Sequence, residues 1–169
     1  MMTLATMSRM STAGAIDPTV RLTALEIVKA LPQKDFQGEA IAIFRFVRDK
    51  IRYVRDVYRV ETVQEPRATL ELGQGDCDDK STLLAALLAS VGVETAFGAL
   101  VRGNSVMHVW TRAKIAGKWV NLDATENLPM GQLPKFNKSD RIIHHAIGSY
   151  DPLRDGRPVA GGFYRVSRA

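Results

Sequence analysis

The chain has 169 residues, of which 46% are hydrophobic and 24% charged, with a net charge of +5. That length and balance suit one soluble globular domain with a core of its own. They exclude a membrane span, since no apolar run approaches the roughly 20 residues needed. A single cysteine excludes an internal disulfide or a cysteine-based zinc cluster, so a reducing, cytoplasmic compartment is expected.

The opening "MMTLATMSRMSTAGA" has methionines but no continuous apolar block, and reads as a flexible arm over residues 1–16 rather than a signal peptide. Asp17-Pro18 then gives an N-cap followed by proline at the first helical position. Leu22, Leu25, Val28 and Leu31 recur at helical spacing until Pro32. A second helix is expected from about Gln37 to Tyr53, with an apolar stripe of Ile41, Phe44, Val47, Ile51 and Val54. The stretch from Val57 to Gly75 reads as loop with a short helical turn at Arg67 to Leu72.

"GQGDCDDKSTLLAALLASVG" carries the lone cysteine, Cys77. Asp76 serves as N-cap and Asp79, three residues on, completes a capping box. "STLLAALLASV" is apolar on nearly all sides and predicts a helix buried in the middle of the fold, closed by Gly92. A thiol at a helix N-terminus gains thiolate character from the macrodipole, while three flanking aspartates oppose it. Cys77 alone is therefore either a nucleophile or a small buried hydrophobe beside structural caps.

After Gly92 the period changes to strands: "VETAFGALVR", "SVMHVWTRAK" and "KWVNLDAT". A two-residue turn at Ala116–Gly117 pairs Ile115 with Lys118. His108, Trp110, Asn121, Asp123 and Thr125 then share one face, with Asp123 the diagonal neighbour of His108. A carboxylate there can fix the imidazole tautomer and stabilise its protonated form. Cysteine, histidine and aspartate in this arrangement point to nucleophilic acyl transfer, with the Cys77 amide as one oxyanion donor. Gln74, Gln64 and Tyr53 are candidates for a second donor, and Trp110 for the substrate face. His144 and His145 are weak evidence for a metal, and neither metal nor cofactor is expected.

Beyond Pro129 regularity fades, so residues 17–127 are expected to form the domain and 128–169 a basic, irregular extension. From Leu128 on, seven Lys/Arg face three Asp. That excess invites nucleic acid or an acidic partner, but no aromatics interleave with the charges as a single-strand binder needs. Nucleic acid is not the expected partner, and neither is a membrane.

"GDCDDKSTLLAALLASVGVETAFGAL" followed by "HVWTRAKIAGKWVNLDAT" resembles the transglutaminase-like superfamily, whose pattern runs Gly-x-Cys, His-x-Trp, then Trp and Asp-x-Thr. "IFRFVRDKIRYVRD" resembles the helix that precedes the cysteine segment, so the likeness covers residues 37–127. Cys77, His108 and Asp123 fall on the catalytic positions of that pattern. The resemblance implies an α+β, papain-like core with the cysteine helix packed on an antiparallel sheet. It implies acyl transfer on protein or peptide amides, as a protease, amidase or transglutaminase. Compact chains of this kind also occur in phages, which gives the alternative of a virion or assembly module with little or no activity, docking through its arm or basic tail.

Overall fold

The computed structural model describes residues 2–55, 63–137, 140–147 and 163–164. Among the described residues five helices precede an antiparallel sheet. They are α1 (Met2–Ala15), α2 (Pro18–Val28), α3 (Phe36–Lys50), α4 (Pro66–Leu72) and α5 (Cys77–Ser90). Two short strands, β1 (Arg52–Tyr53) and β2 (Gln74–Gly75), pair in parallel ahead of α5. The main sheet runs β5 (Lys118–Leu122), β4 (Ser105–Ile115), β3 (Thr95–Arg102), β6 (Arg141–Ala146), β7 (Phe163–Tyr164). All its pairings are antiparallel. Among the described residues no helix is long and apolar enough to cross a membrane.

The cysteine helix is the axis of the molecule. Asp76 accepts from the amides of Asp78 and Asp79, and the Asp79 side chain accepts from the Asp76 amide, closing the capping box. Leu83, Leu84, Leu87 and Leu88 are fully buried, each contributing about 1.5–3 kcal/mol of transfer free energy. One core joins them to Val20 and Ala24 of α2, Ala40, Ile43, Phe44 and Val47 of α3, and Ala113, Ile115 and Leu122 of the hairpin. A second core joins Leu4 and Met7 of α1 to Ala85, Phe97, Ala99 and Val109.

Three expectations need correction. The segment read as a flexible arm is helix α1, with Leu4 and Met7 buried. Its inner face is completed by Ser8, Ser11 and Thr12, and the hydroxyls of the last two return to the Ser8 carbonyl. Small residues that satisfy their own hydroxyls can be buried without an apolar signature. On α2 the buried line is Val20 and Ala24, whereas Leu22 and Leu25 are exposed at 67% and 46%. The expected irregularity of 128–169 gives way at 141–146 to β6, which takes the free edge of β3. Residues 138–139, 148–162 and 165–169 of the basic tail lie outside the described residues, as do 57–62 of the expected loop.

The hairpin register is the expected one: Ile115 opposes Lys118, and Ala116 and Gly117 both take positive φ, 49° and 77°. Two left-handed residues make the turn whose twist suits adjoining strands. Gly98 of β3 lies opposite Trp110, and a Cβ there would sit 2.3 Å from the indole. Gly98→Ala must therefore displace the ring, at a cost of about 1–3 kcal/mol. A thermal melt should show Tm lowered by roughly 3–10 °C; an unchanged Tm would mean the indole is not wedged against that backbone.

Candidate active site

A β-bulge aims the histidine. Leu100 pairs with His108 and Val101 with Val106, so Met107 is an extra residue in β4 immediately before His108. Bulges re-aim neighbouring side chains and increase local twist. His108 Nε2 lies 2.7 Å from Asp123 Oδ2, with the carboxylate fully buried and the imidazole 18% exposed. The other oxygen, Asp123 Oδ1, accepts from the Thr125 hydroxyl at 2.6 Å and the Thr125 amide at 3.0 Å. Burial pushes the Asp123 carboxyl up, but His108 and Thr125 outweigh it and hold the group below the usual carboxylate range. An ionised carboxylate only accepts, so Nε2 carries the proton and Nδ1 is the basic nitrogen.

Cys77 reaches β4 from the side. β5 pairs β4 only along Thr111–Ile115, so the preceding edge of β4 is open to the start of α5. There Ser81 Oγ donates to the Val109 carbonyl at 3.3 Å, and Thr111 Oγ1 donates to the Ser81 carbonyl at 2.8 Å. These bonds lock the helix start to the strand, and the Val109 amide faces the Cys77 thiol. The thiol thus sits at the backbone of the residue following His108. Among the described residues no hydrogen bond joins Cys77 to the imidazole itself.

The thiol's environment opposes ionisation. Burial and the charges of Asp76 and Asp78 push it up to about 12, against the pull of the Val109 and Cys77 amides. Asp78 is buried, with Oδ1 lacking a hydrogen-bond partner, and is pushed up to about 8 by burial, by its hydrogen bond to Asp76 and by the neighbouring charges. Asp76, Cys77 and Asp78 bring one ligand atom each within 4.8 Å of one another and could hold a cation, although the cap bonds already account for Asp76.

The remaining expected site residues separate. Trp110 shares the face of His108, with ring centroids 6.0 Å apart, but it is fully buried. Its Nε1 donates to Asn121 Oδ1 at 3.1 Å and its ring stacks on Phe136. It packs against the histidine and offers no substrate surface. Gln74 Oε1 accepts from Arg52 Nη2 at 2.6 Å in an exposed bond. Gln64 is committed to Asp79, its amide at 2.7 Å and its Nε2 at 2.9 Å. Thr125, expected on the shared face, binds the carboxylate through its hydroxyl and its amide, and the Val109 amide joins the site without a mark in the sequence. The Asp-x-Thr spacing marks Thr125, whereas a backbone amide is marked by no residue type.

Residues 24–124 match the family model described as the transglutaminase-like superfamily. The chain belongs to that superfamily. Solved structures of the same fold include a protease candidate from Parabacteroides distasonis (TM-score 0.63, 13% identity, 94% of this chain and 31% of that one). A cysteine-protease candidate from Cytophaga hutchinsonii follows (TM-score 0.54, 14% identity, 86% and 58%). LapG of Legionella pneumophila is also similar (TM-score 0.50, 17% identity, 73% of each chain). The chain thus spans a third to somewhat over half of the first two proteins. No curated protein matches the sequence. Family and neighbours support the α+β, papain-like architecture, and the family match supports a cysteine-based catalytic fold.

Proposed function

We propose that this transglutaminase-like protein transfers acyl groups from the amide bonds of proteins or peptides, through Cys77, His108 and Asp123. The observation that carries this reading is the 2.7 Å bond from His108 Nε2 to a buried Asp123, which leaves Nδ1 as a base one residue from the backbone amide that the Cys77 thiol lies near. In the reaction, Nδ1 takes the thiol proton as Sγ bonds to the carbonyl carbon. The Cys77 amide at the start of α5 supports the resulting oxyanion. Collapse breaks the C–N bond, the imidazolium returns its proton to the leaving amine, and a thioester remains. Water then releases an acid, or a second amine takes the acyl group. A lone free cysteine suits a reducing, cytoplasmic setting.

The test is acylation of the full chain by p-nitrophenyl acetate, alongside turnover of a quenched-fluorescent peptide library. The expected result is a stoichiometric burst at Cys77 that is absent in Cys77→Ala and His108→Ala. A Cys77→Ala protein that keeps full turnover sinks the assignment.

One observation favours a second reading. Burial and two aspartates push the Cys77 thiol up to about 12, so little thiolate exists at rest, as suits a virion or assembly module of phage type that keeps the fold without the reaction. On that reading, wild type and His108→Ala acylate equally slowly, and Cys77→Ala supports assembly unimpaired.

A further inference from the structure

An oxyanion needs more than one donor to be well stabilised, and the helix start supplies one. Of the four described side chains expected at the substrate face or as a second donor, three are otherwise placed. Gln64 Nε2 donates to Asp79, and Trp110 Nε1 is buried against Asn121. Gln74 is drawn to Arg52 across the β1–β2 pair. Tyr53 remains. It ends β1, where its backbone pairs with Gly75, and the Val54 amide donates to the Gly75 carbonyl at 3.0 Å. Paired residues of neighbouring strands project to the same side of a sheet. The Gly75 position projects onto Asp79 of the cysteine helix, since a Cβ there would meet the Asp79 side chain at 2.5 Å. The two-residue strand thus turns the Tyr53 side chain toward the side on which the first turn of α5 lies, where Asp79 is two positions from the nucleophile. The ring is 43% exposed, so a substrate can reach it.

We infer that the Tyr53 phenol is a catalytic residue of this site, donating its proton as a hydrogen bond to the oxyanion formed on the carbonyl that Cys77 attacks. The inference rests on the acyl-transfer reading and adds a residue to it. The chemistry at Tyr53 fits the role. Burial, and then the nearness of Cys77, push the phenol above its ordinary range, so it stays a donor at every working pH. The Arg55 guanidinium lies close enough to oppose part of that rise, and a cation beside the phenol oxygen favours a hydroxyl proton turned away from it. No covalent change occurs at Tyr53: the proton is shared with the oxyanion and retained when the intermediate collapses.

Two reactions of the same cysteine separate this role from a structural one. Acylation by p-nitrophenyl acetate passes through an oxyanion, whereas alkylation by iodoacetamide displaces iodide and forms none. Both are to be measured on the full chain, in wild type and Tyr53→Phe, at one pH. The expected result is acylation slowed about a hundredfold with alkylation unchanged. Acylation as fast in Tyr53→Phe as in wild type overturns the assignment and leaves the acyl-transfer reading standing. An equal loss in both reactions also overturns it, because the ring would then serve only to shape the site. If wild type acylates no faster than His108→Ala, the acyl-transfer reading falls and the Tyr53 role falls with it.

Discussion

Asp123→Asn should slow Cys77 acylation about a thousand- to ten-thousandfold while the protein stays folded. The reason lies in how the two carboxylate oxygens are used. Oδ2 accepts from His108 Nε2, and Oδ1 accepts from both the hydroxyl and the amide of Thr125. An asparagine has one acceptor oxygen and one NH2 group to offer the same three donors. Its oxygen is best spent on Thr125, which presents two of them, and the NH2 then faces His108 Nε2. The imidazole can accept that bond only by moving its own proton to Nδ1, the nitrogen that must take the proton from Cys77. A base with the wrong tautomer is no base. The shape of the side chain is preserved and a buried charge is removed, so Tm should stay within a few degrees of wild type. Thr125→Val, which deletes one bond to Oδ1 and keeps the carboxylate, should have a far smaller effect. Acylation retained within about tenfold in Asp123→Asn would show that the carboxylate does not set the tautomer.

The parts of the site legible in the sequence are those fixed by local rules. "IAGK" can close a hairpin only where two residues tolerate positive φ, and Ala116–Gly117 do so. That turn fixes the register, and the register puts His108 and Asp123 on one face. Asp76 and Asp79 declare the helix start, because a capping box is a matter of three-residue spacing. What stayed hidden depends on partners distant in the chain. β6 alternates poorly in "RIIHHA" and exists because β3 leaves an edge for it. The inner face of α1 is largely Ser, Thr and Met, so no apolar stripe marks it. On α2 the leucines suggested the buried side, but Val20 and Ala24 are the residues small enough to let the helix approach α5. Met107 gives no sign of being a bulge. The sequence left the balance between helix dipole and aspartates at Cys77 open, because that balance turns on burial. In the fold, burial leads and the aspartates reinforce it.

That balance makes a second measurable difference, in the pH dependence of Cys77 alkylation. A thiol pushed up to about 12 holds far less thiolate at pH 7 than an ordinary cysteine near 8.5, by about a thousandfold or more. The rarer thiolate is also the more nucleophilic one, and a Brønsted slope of about 0.4–0.5 recovers part of the loss. Iodoacetamide should therefore react about 30- to 100-fold more slowly than with free cysteine at pH 7. The rate should go on rising with pH well past the ordinary thiol range. The sign follows from the acid. The raised pKa means the folded site favours the neutral thiol, so reactivity is lost at low pH and gained only as pH climbs. Asp78 adds a bend: pushed up to about 8, it ionises near there and places a further negative charge beside the sulfur. Asp78→Asn should remove the bend and make alkylation faster at pH 9 than in wild type, while Asp76 continues to cap the helix. A wild-type profile with a reactive plateau below pH 7, abolished in His108→Ala, would mean instead that thiolate and imidazolium form a resting pair. A nucleophile of the kind described here is slow towards alkylating agents and is deprotonated only as a carbonyl beside His108 is attacked. Slow alkylation together with fast, His108-dependent acylation is the combination that separates a working site from a preserved but idle one.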